Sequence, residues 1–250
     1  MSGHSKWSTI KRKKGKLDAQ RGRVFTKLIR EITVAARHGG GDPVGNPSLR
    51  SAMAAARAAN MPMENIERAI RRGTGEEPGV QYEELVYEAF APGGTALLIK
   101  VLTDNKNRTG GEVRHILTRY GARMGEPGSV SRLFAERGLI SVPAATGVEE
   151  DSLMELILEA GADDMELDDG VFEIRTSPHA LEPVREALEK ARIAYESAEV
   201  ARVAHMPVRL EGDDARKVLR VVEALEEQDD VQNVFANFDI PDSVMEEMAD

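Results

Sequence analysis

The sequence predicts an α+β protein in which an N-terminal helical domain precedes two compact units of mixed helices and strands. Apolar residues recur at helical spacing up to about residue 73. From Tyr82 onward, short strand patterns alternate with amphipathic helix patterns. The stretch GTGEEPG lies between the two parts and is typical of a linker. With 41% hydrophobic and 30% charged residues in 250, the chain has the composition of a globular protein.

The N-terminal domain contains three predicted helices. The first has apolar residues at helical spacing, namely Phe25, Leu28, Ile29, Ile32 and Ala36. Its other side carries a basic stripe at positions i, i+4, i+7 and i+14, formed by Arg23, Lys27, Arg30 and Arg37. Asn46 and Pro47 suit the N-cap and first turn of a second, alanine-rich helix. Pro62 and Gly73 predict the beginning and the end of a third.

Strands and helices alternate through the rest of the chain. Residues 82–91 and 95–103 predict a hairpin with the turn PGG, and Thr109 and Glu112 have capping-box spacing ahead of an amphipathic helix. The later elements are strands near 130–134 and 139–142, a helix near 153–160, a hairpin around LDDG, a helix after Ser177, a strand region near 197–210, a helix near 218–225 and a strand near 231–238. This order favours two α+β units with helices covering antiparallel sheets. Periodicity leaves open whether the units are sequential or one interrupts the other.

Charge is distributed unevenly along the chain. The formal net charge is −10, yet 16 Lys and Arg stand against 5 Asp and Glu up to Gly73, whereas the remainder carries 17 against 38. Such asymmetry is typical of a basic module for a polyanion joined to a differently charged body. The alternative is that the two parts attract each other electrostatically.

The strongest basic segment is GHSKWSTIKRKKGK at positions 3–16, which packs five lysines, one arginine and the single tryptophan into fourteen residues. Its cations could contact several phosphates along one backbone and release counterions, and they are Lys6, Lys11, Arg12, Lys13, Lys14 and Lys16. Trp7 and His4 offer flat faces on which an unpaired base could stack. The alternative for Trp7 is that its ring packs back onto the first helix.

Further cations complete the predicted nucleic-acid-binding set, and they are Arg21, Arg23, Lys27, Arg30, Arg71, Arg72, Lys106 and Arg108. Arg71 and Arg72 also have a structural explanation, because cations at the end of a helix interact favourably with its dipole. Lys106 and Arg108 lie beside a predicted helix start, where phosphate can bind, but an ordinary polar loop explains them equally well.

No pattern in the sequence predicts an enzyme. The five histidines are scattered, and neither a G-x-S-x-G segment nor the P-loop order occurs. The acidic stretch GADDMELDDG lacks EF-hand spacing and is interpreted as a hairpin with a solvated turn. The absence of cysteine excludes disulfides, thiolate nucleophiles and cysteine-bound zinc. We therefore expect a non-enzymatic protein with no cofactor, no metal and no small-molecule substrate.

The sequence also bears on the membrane. No apolar run approaches the roughly 20 residues that span a bilayer. The first residues are basic but lack the apolar stretch of a secretory signal peptide. These observations predict a cytoplasmic protein without a membrane partner.

Several long motifs are similar to those of one known family. They are GHSKW at 3–7, ANMPMENIERAIRRGTGE at 59–76, APGGTALLIKVLTDNKNRTGGEVRH at 91–115 and FDIPDSV at 238–244. On these motifs the chain resembles the YebC/PmpR family from Ser2 to about Val244. The resemblance implies two ferredoxin-like α+β domains, one inserted in the other. The implied organisation is a flexible basic arm at 1–22, a helical domain at 23–79, an α+β domain at 80–133 plus 207–240, an inserted α+β domain at 134–206 and a C-terminal tail at 241–250.

The resemblance also implies a role in gene expression. Members have been described as probable DNA-binding transcriptional regulators, and more recently as ribosome-associated factors that relieve stalled elongation, notably at proline runs. The family also includes a mitochondrial translational activator of cytochrome c oxidase. Its basic arm, here His4 to Lys16, is thought to approach ribosomal RNA. The main hypothesis is therefore a ribosome-associated translation factor whose partner is ribosomal RNA, and the alternative is a transcriptional regulator that binds double-stranded DNA.

The second predicted helix bears on sequence specificity. It is rich in small residues that offer few groups to base edges, namely Ala54, Ala55, Ala58 and Ala59. Side chains that contact phosphate fix position on a nucleic acid without reading its sequence. We therefore expect binding that mainly follows the phosphate backbone.

Overall fold

A computed structural model describes residues 7, 17–168, 170–241 and 243–245, and within 17–21 it describes the backbone alone. The helical layer consists of α1 (Leu17–Gly39), α2 (Pro47–Ala58) and α3 (Met63–Thr74). Helix α1 begins at Leu17 rather than at residue 23, because the stretch LDAQR consists mostly of residues that form helices readily. Helices α2 and α3 pack on α1, and the layer has its own buried apolar cluster, which includes Ile32, Leu49 and Ile66.

A side-chain N-cap sets the start of α2, and a glycine with positive φ follows the end of α3. The side-chain oxygen of Asn46 accepts the N–H of Leu49 at 3.0 Å, which confirms the predicted N-cap of α2. Gly73 does not end α3 as predicted. It lies inside the helix, where a Cβ atom would stand 2.5 Å from the carbonyl oxygen of Thr33, so the missing side chain lets α3 approach α1 closely. The left-handed residue after the helix is Gly75, with φ of 86°.

The first sheet is antiparallel and has the strand order β3-β1-β2-β9. Its strands are β1 (Glu83–Ala91), β2 (Thr95–Thr103), β3 (Arg123–Met124) and β9 (Val231–Ala236), and its helices are α4 (Lys106–Arg119) and α7 (Gly212–Glu226). The predicted hairpin of β1 and β2 turns through Pro92–Gly94. Helix α4 begins three residues before the predicted capping box, because Asn105 accepts the N–H of Arg108 at 3.1 Å. Thr109 is therefore inside the helix, and its hydroxyl lies within hydrogen-bond distance of the Asn105 carbonyl oxygen and of Asp230.

The second sheet is antiparallel and has the order β5-β6-β4-β7. Its elements are β4 (Phe134–Pro143), α5 (Glu150–Glu159), β5 (Ala162–Asp168), β6 (Val171–Thr176), α6 (Leu181–Lys190) and β7 (Ser197–Ala204). The βαββαβ connectivity with this order is ferredoxin-like, and the whole sheet lies in the chain between β3 and α7. A short parallel pair, β8 (Val208–Arg209) with β10 (Phe238–Asp239), follows. The predicted α+β class is thus confirmed, whereas the predicted domain boundaries stay predictions.

The loop that leads from the first sheet to the second is organised by a buried carboxylate. Glu88 of β1 accepts the backbone N–H of Gly128 at 2.8 Å, of Ser131 at 3.1 Å and also of Val130. Burial by itself raises the pKa of Glu88, but these N–H groups outweigh it and lower the pKa below its usual value. Beside them, Val130 and Phe134 pack on Leu98 of the first sheet. Glu88 therefore fixes the path of the chain between the sheets.

Glu88→Gln is expected to lower the free energy of unfolding by about 1.5–3 kcal/mol, because it removes a charged acceptor from several buried donors. Urea unfolding at neutral pH measures this loss. The matched control is Glu126→Gln, an exposed residue of the same loop, for which we expect a change within about 0.5 kcal/mol. Because the pKa of Glu88 is lower in the folded state, its carboxylate stabilises the fold above the unfolded pKa of about 4.3. The difference in stability between wild type and Glu88→Gln should therefore shrink as pH drops below that value. An equal loss in both variants would contradict the role of Glu88.

Candidate nucleic-acid interface

Most of the predicted basic arm lies outside the described residues. This holds for His4, Lys6, Lys11, Arg12, Lys13, Lys14 and Lys16, and of Arg21 the backbone alone is described, within α1. Their role in binding therefore stays a prediction.

Trp7 is buried, contrary to its predicted role as a stacking surface. Its side chain is 1% exposed and belongs to the apolar cluster of the first sheet, with Leu97, Val222 and Met245. A ring this buried does not fit the predicted stacking on a base, and the apolar cluster that it joins consists of residues outside α1. Burial of Trp7 is favourable because an aromatic side chain that enters a core removes roughly 150–250 Å² of its surface from water. Trp7 itself is therefore part of the core of the first sheet.

Three cations of the basic stripe of α1 contact the end of α7 and the residues that follow it, and they are Arg23, Lys27 and Arg30. Arg23 pairs with Glu227 at 3.4 Å, and the ammonium of Lys27 donates to the carbonyl oxygen of Glu226 at 2.7 Å. The end of α7 combines acidic side chains with the carbonyl oxygens at the negative end of the helix dipole. In this arrangement these cations are paired, as the alternative of attraction between the basic and acidic parts describes, and their role in nucleic-acid binding stays a prediction.

Arg30, the third cation of the stripe, contacts Asp230. Their closest atoms are 2.8 Å apart, and the side chain of Asp230 is 3% exposed. The guanidinium of Arg30 also donates to the carbonyl oxygen of Asp229 and lies 5.5 Å from the centre of the Tyr82 ring. Arg30 therefore joins the helical layer to the first sheet.

Asp230 has further partners in its own unit. Its carboxylate accepts the hydroxyl of Thr109 at 2.5 Å and that of Thr103 at 3.2 Å, and it pairs with Arg108 at 3.0 Å. Burial raises the pKa of Asp230, but Thr109 and the two arginines outweigh it and leave the pKa below its usual value. Arg108 also pairs with Asp104 at 2.7 Å, and these two carboxylates raise its pKa. Arg108 is thus paired with two carboxylates, and its role as a phosphate contact stays a prediction.

The remaining predicted cations differ in their surroundings. Arg71 pairs with Glu77 at 2.6 Å, which holds the pKa of that carboxyl below its usual value. Arg72 is exposed and borders a cleft beside Tyr82. Lys106 is exposed, with Glu83 at 4.0 Å. Arg72 and Lys106 are therefore accessible to a ligand, and their role stays a prediction.

The helical layer also faces the second sheet. Arg50 of α2 pairs with Glu182 of α6 at 3.1 Å. Burial raises the pKa of Glu31 in α1. The charge of Lys100 in β2 lowers this pKa and the charge of Glu199 in β7 raises it, so Glu31 lies near both strands. Helix α1 thus lies where both sheets meet the helical layer.

The acidic run EEQDD at 226–230 is the feature that sequence reasoning missed. The signal was present, because four acidic residues follow an amphipathic helix directly. The run lies about 200 residues from the basic stripe along the chain, so no local sequence pattern could show that the two are in contact. Within the described ranges, no group of three or more His, Asp or Glu residues could hold a metal ion, and no helix is long and apolar enough to cross a membrane.

Two family models match the chain. One, described as the TACO1/YebC protein N-terminal domain, matches residues 5–76, and the other, described as the TACO1/YebC second and third domain, matches residues 82–238. The chain belongs to the TACO1/YebC family. This confirms the resemblance to the YebC/PmpR proteins.

Family members of similar length are close in sequence. A protein of Pelotomaculum thermopropionicum is 56% identical over 97% of this chain and 100% of its own length, and one of Geobacter sulfurreducens is 54% identical over 99% and 100%. Both bear the name probable transcriptional regulatory protein. The crystal structure of a conserved hypothetical protein from Aquifex aeolicus, 49% identical, superposes with a TM-score of 0.83 over 91% of this chain and 93% of that one. Members of the family are thus named as regulators of gene expression rather than as enzymes.

Proposed function

We propose that this chain is a non-enzymatic regulator of gene expression that binds nucleic acid mainly through phosphate contacts of its basic N-terminal arm. The observation that carries the proposal is where the cations lie. The arm concentrates six Lys and Arg in fourteen residues, whereas the stripe of α1 and Arg108 are paired with carboxylates or carbonyl oxygens. The acidic body repels a polyanion, so the arm side of the molecule is the side that approaches it.

A DNA target in transcription is the first candidate, and the names of the relatives support it. The structure of α2 bears on how DNA would be bound. Ala52 and Ala56 are buried against the other helices, and the outward face offers short side chains such as Ser51 and Ala55 beside Arg57. A helix that reads the major groove needs several side chains that reach base edges. We therefore propose binding that follows phosphates and DNA shape rather than base edges read by α2.

A ribosome-associated translation factor is the second candidate. The lack of base-reading side chains on α2 is compatible with this candidate, because binding that follows phosphates suits structured RNA as well as duplex DNA. Competition at physiological salt separates the two candidates. A promoter fragment that competes better than random DNA supports the first. Co-sedimentation with ribosomes that is abolished when the arm charges are reversed supports the second.

Reversing the charge of the arm is expected to weaken nucleic-acid binding at least tenfold. The variant replaces Lys11, Arg12, Lys13 and Lys14 with glutamate, which removes cations and repels phosphate. The slope of log affinity against log salt should also become shallower, by about 0.9 for each phosphate of duplex DNA that the arm no longer neutralises. Fluorescence anisotropy of short labelled duplex DNA and single-stranded RNA, between about 50 and 200 mM salt, measures both effects.

The matched control makes the same change in net charge away from the arm. It replaces four exposed cations of the acidic body with glutamate, namely Lys190, Arg192, Arg209 and Lys217. We expect a small loss of affinity and an unchanged salt slope. If the two variants behave alike, net charge rather than the arm governs binding, and the proposal is wrong.

A further inference from the structure

The acidic segment 226–230 contacts three of the four cations of the basic stripe of α1, namely Arg23, Lys27 and Arg30. Along the helix axis the three cations are spaced by about 6 Å and about 4.5 Å, from a rise of about 1.5 Å per residue. The segment offers them two kinds of oxygen. The carboxylates of Glu227 and Asp230 and the backbone carbonyls of Glu226 and Asp229 are the acceptors. A row of oxygens that carries negative charge is also what a phosphate backbone presents.

We propose that segment 226–230 competes within the molecule with nucleic acid for the α1 stripe, so that this arrangement is autoinhibited. In the active arrangement the helical layer separates from the segment, and the stripe adds its phosphate contacts to those of the arm. The inference rests on the proposed function, because the competing ligand is the nucleic acid that the arm recruits.

A polyanion can displace the outer contacts between α1 and segment 226–230, which are those of Arg23 and Lys27. Arg23 and Glu227 are 44% and 59% exposed, and an ion pair this exposed is weakened by salt. Lys27 bonds to a carbonyl oxygen, and a phosphate oxygen is a stronger acceptor because it carries charge. Arg30 lies deeper, so it is the last of the three to be released.

The acidic side keeps partners after separation. Thr103, Thr109 and Arg108 contact the carboxylate of Asp230 from within its own unit. Asp230 is therefore not left buried without a partner when Arg30 leaves.

The helical layer also keeps its own core. Among the described residues, its buried apolar cluster shares no member with the clusters of the two sheets. The described side-chain contacts of α1 with the segment are ion pairs and hydrogen bonds. Separation at this surface therefore removes ion pairs and hydrogen bonds while each apolar cluster stays intact.

The absence of cysteine from the chain allows a direct test by crosslinking. Arg23→Cys with Glu227→Cys places two thiols at a pair whose charged atoms are 3.4 Å apart. A short bis-maleimide then holds α1 against the segment. The matched control is the same variant with both thiols capped by N-ethylmaleimide, which has identical substitutions and no link. Both preparations are titrated with the labelled duplex DNA and RNA used for the arm variants.

The crosslinked protein is expected to bind at least tenfold more weakly than the capped protein. Equal affinities would overturn the autoinhibition and leave the proposed function intact, because the crosslink does not involve the arm. If the unmodified wild-type chain binds neither probe, the proposed function itself fails, and the competition fails with it.

A second variant tests the opposite change. Glu227→Arg places like charges at the outer pair and is expected to raise affinity at least threefold above Glu159→Arg, an equal charge change on an exposed residue at the end of α5. Equal affinities of these two variants would contradict the competition.

Discussion

Asp230→Asn is expected to lower the free energy of unfolding by about 3 kcal/mol, because removing one partner of a buried charge pair leaves the other charge uncompensated. Asp230 is 3% exposed and contacts Arg30, Arg108 and Thr109. Asparagine keeps the size of the side chain but loses its charge, and it turns an NH₂ donor toward groups that already donate. Urea unfolding at neutral pH, followed by circular dichroism, measures the loss.

The neighbouring residue supplies the control for this prediction. Asp229 is exposed and accepts the guanidinium of Arg30 through its backbone carbonyl. Asp229→Asn therefore keeps that contact and should change the free energy of unfolding by no more than about 0.5 kcal/mol. A loss at Asp230 as small as the loss at Asp229 would contradict the role of Asp230 in joining the helical layer to the first sheet.

The effect of Asp230→Asn should depend on pH in a defined direction. The folded-state pKa of Asp230 lies below its usual value, since the hydrogen bonds and arginines outweigh burial. Such a carboxyl stabilises the fold above its unfolded pKa of about 3.9, and this contribution is lost as pH falls through the folded pKa. The difference between wild type and Asp230→Asn should therefore shrink below about pH 4, and a difference that grows there would contradict this assignment.

Trp7→Ala is expected to lower the free energy of unfolding by about 3–5 kcal/mol, the usual range for emptying a buried aromatic site. The reason is that the ring is 1% exposed within the cluster of the first sheet. Because the chain has a single tryptophan, its fluorescence reports on this position alone. We expect blue-shifted emission and weak quenching by acrylamide in the native protein, and both should disappear in urea.

Trp7→Phe is the control for this substitution. Phenylalanine keeps an aromatic ring, and the indole N–H that it removes has no hydrogen-bond partner among the described residues. We therefore expect a clearly smaller loss of stability than for alanine. Unchanged stability of Trp7→Ala, with nucleic-acid affinity reduced by about 1–3 kcal/mol, would instead indicate a stacking role and contradict the burial of Trp7.

The sequence predicted the elements of the fold well wherever local chemistry decides them. Asn46 with Pro47 located the start of α2, and the PGG turn located the first hairpin. It failed where two local signals compete. Thr109 and Glu112 have the spacing of a capping box, but Asn105 caps α4, and tertiary contact with Asp230 uses the hydroxyl of Thr109.

The candidate site was harder to predict because long-range pairing decides it. The periodicity of α1 correctly grouped Arg23, Lys27 and Arg30 on one side. It could not reveal that the segment 226–230 faces them, since folding brings together residues about 200 positions apart. A tryptophan in a polar arm gives no local sign of the core that it enters. Charge asymmetry therefore predicted that a polyanion or an acidic surface is bound, but not which cations are already paired.

Crosslinking in cells shows whether the N-terminal arm binds nucleic acid. The experiment compares wild type with the variant in which glutamate replaces Lys11, Arg12, Lys13 and Lys14. Cells that contain either protein are irradiated with ultraviolet light, and the protein is purified under denaturing conditions. The nucleic acid attached to it is then sequenced. We expect abundant nucleic acid on the wild type, crosslinked to peptides from residues 1–16, and background levels on the variant. The sequences then distinguish promoter DNA from ribosomal RNA. Equal recovery from both proteins, or crosslinks confined to the acidic body, would show that the arm does not bind nucleic acid.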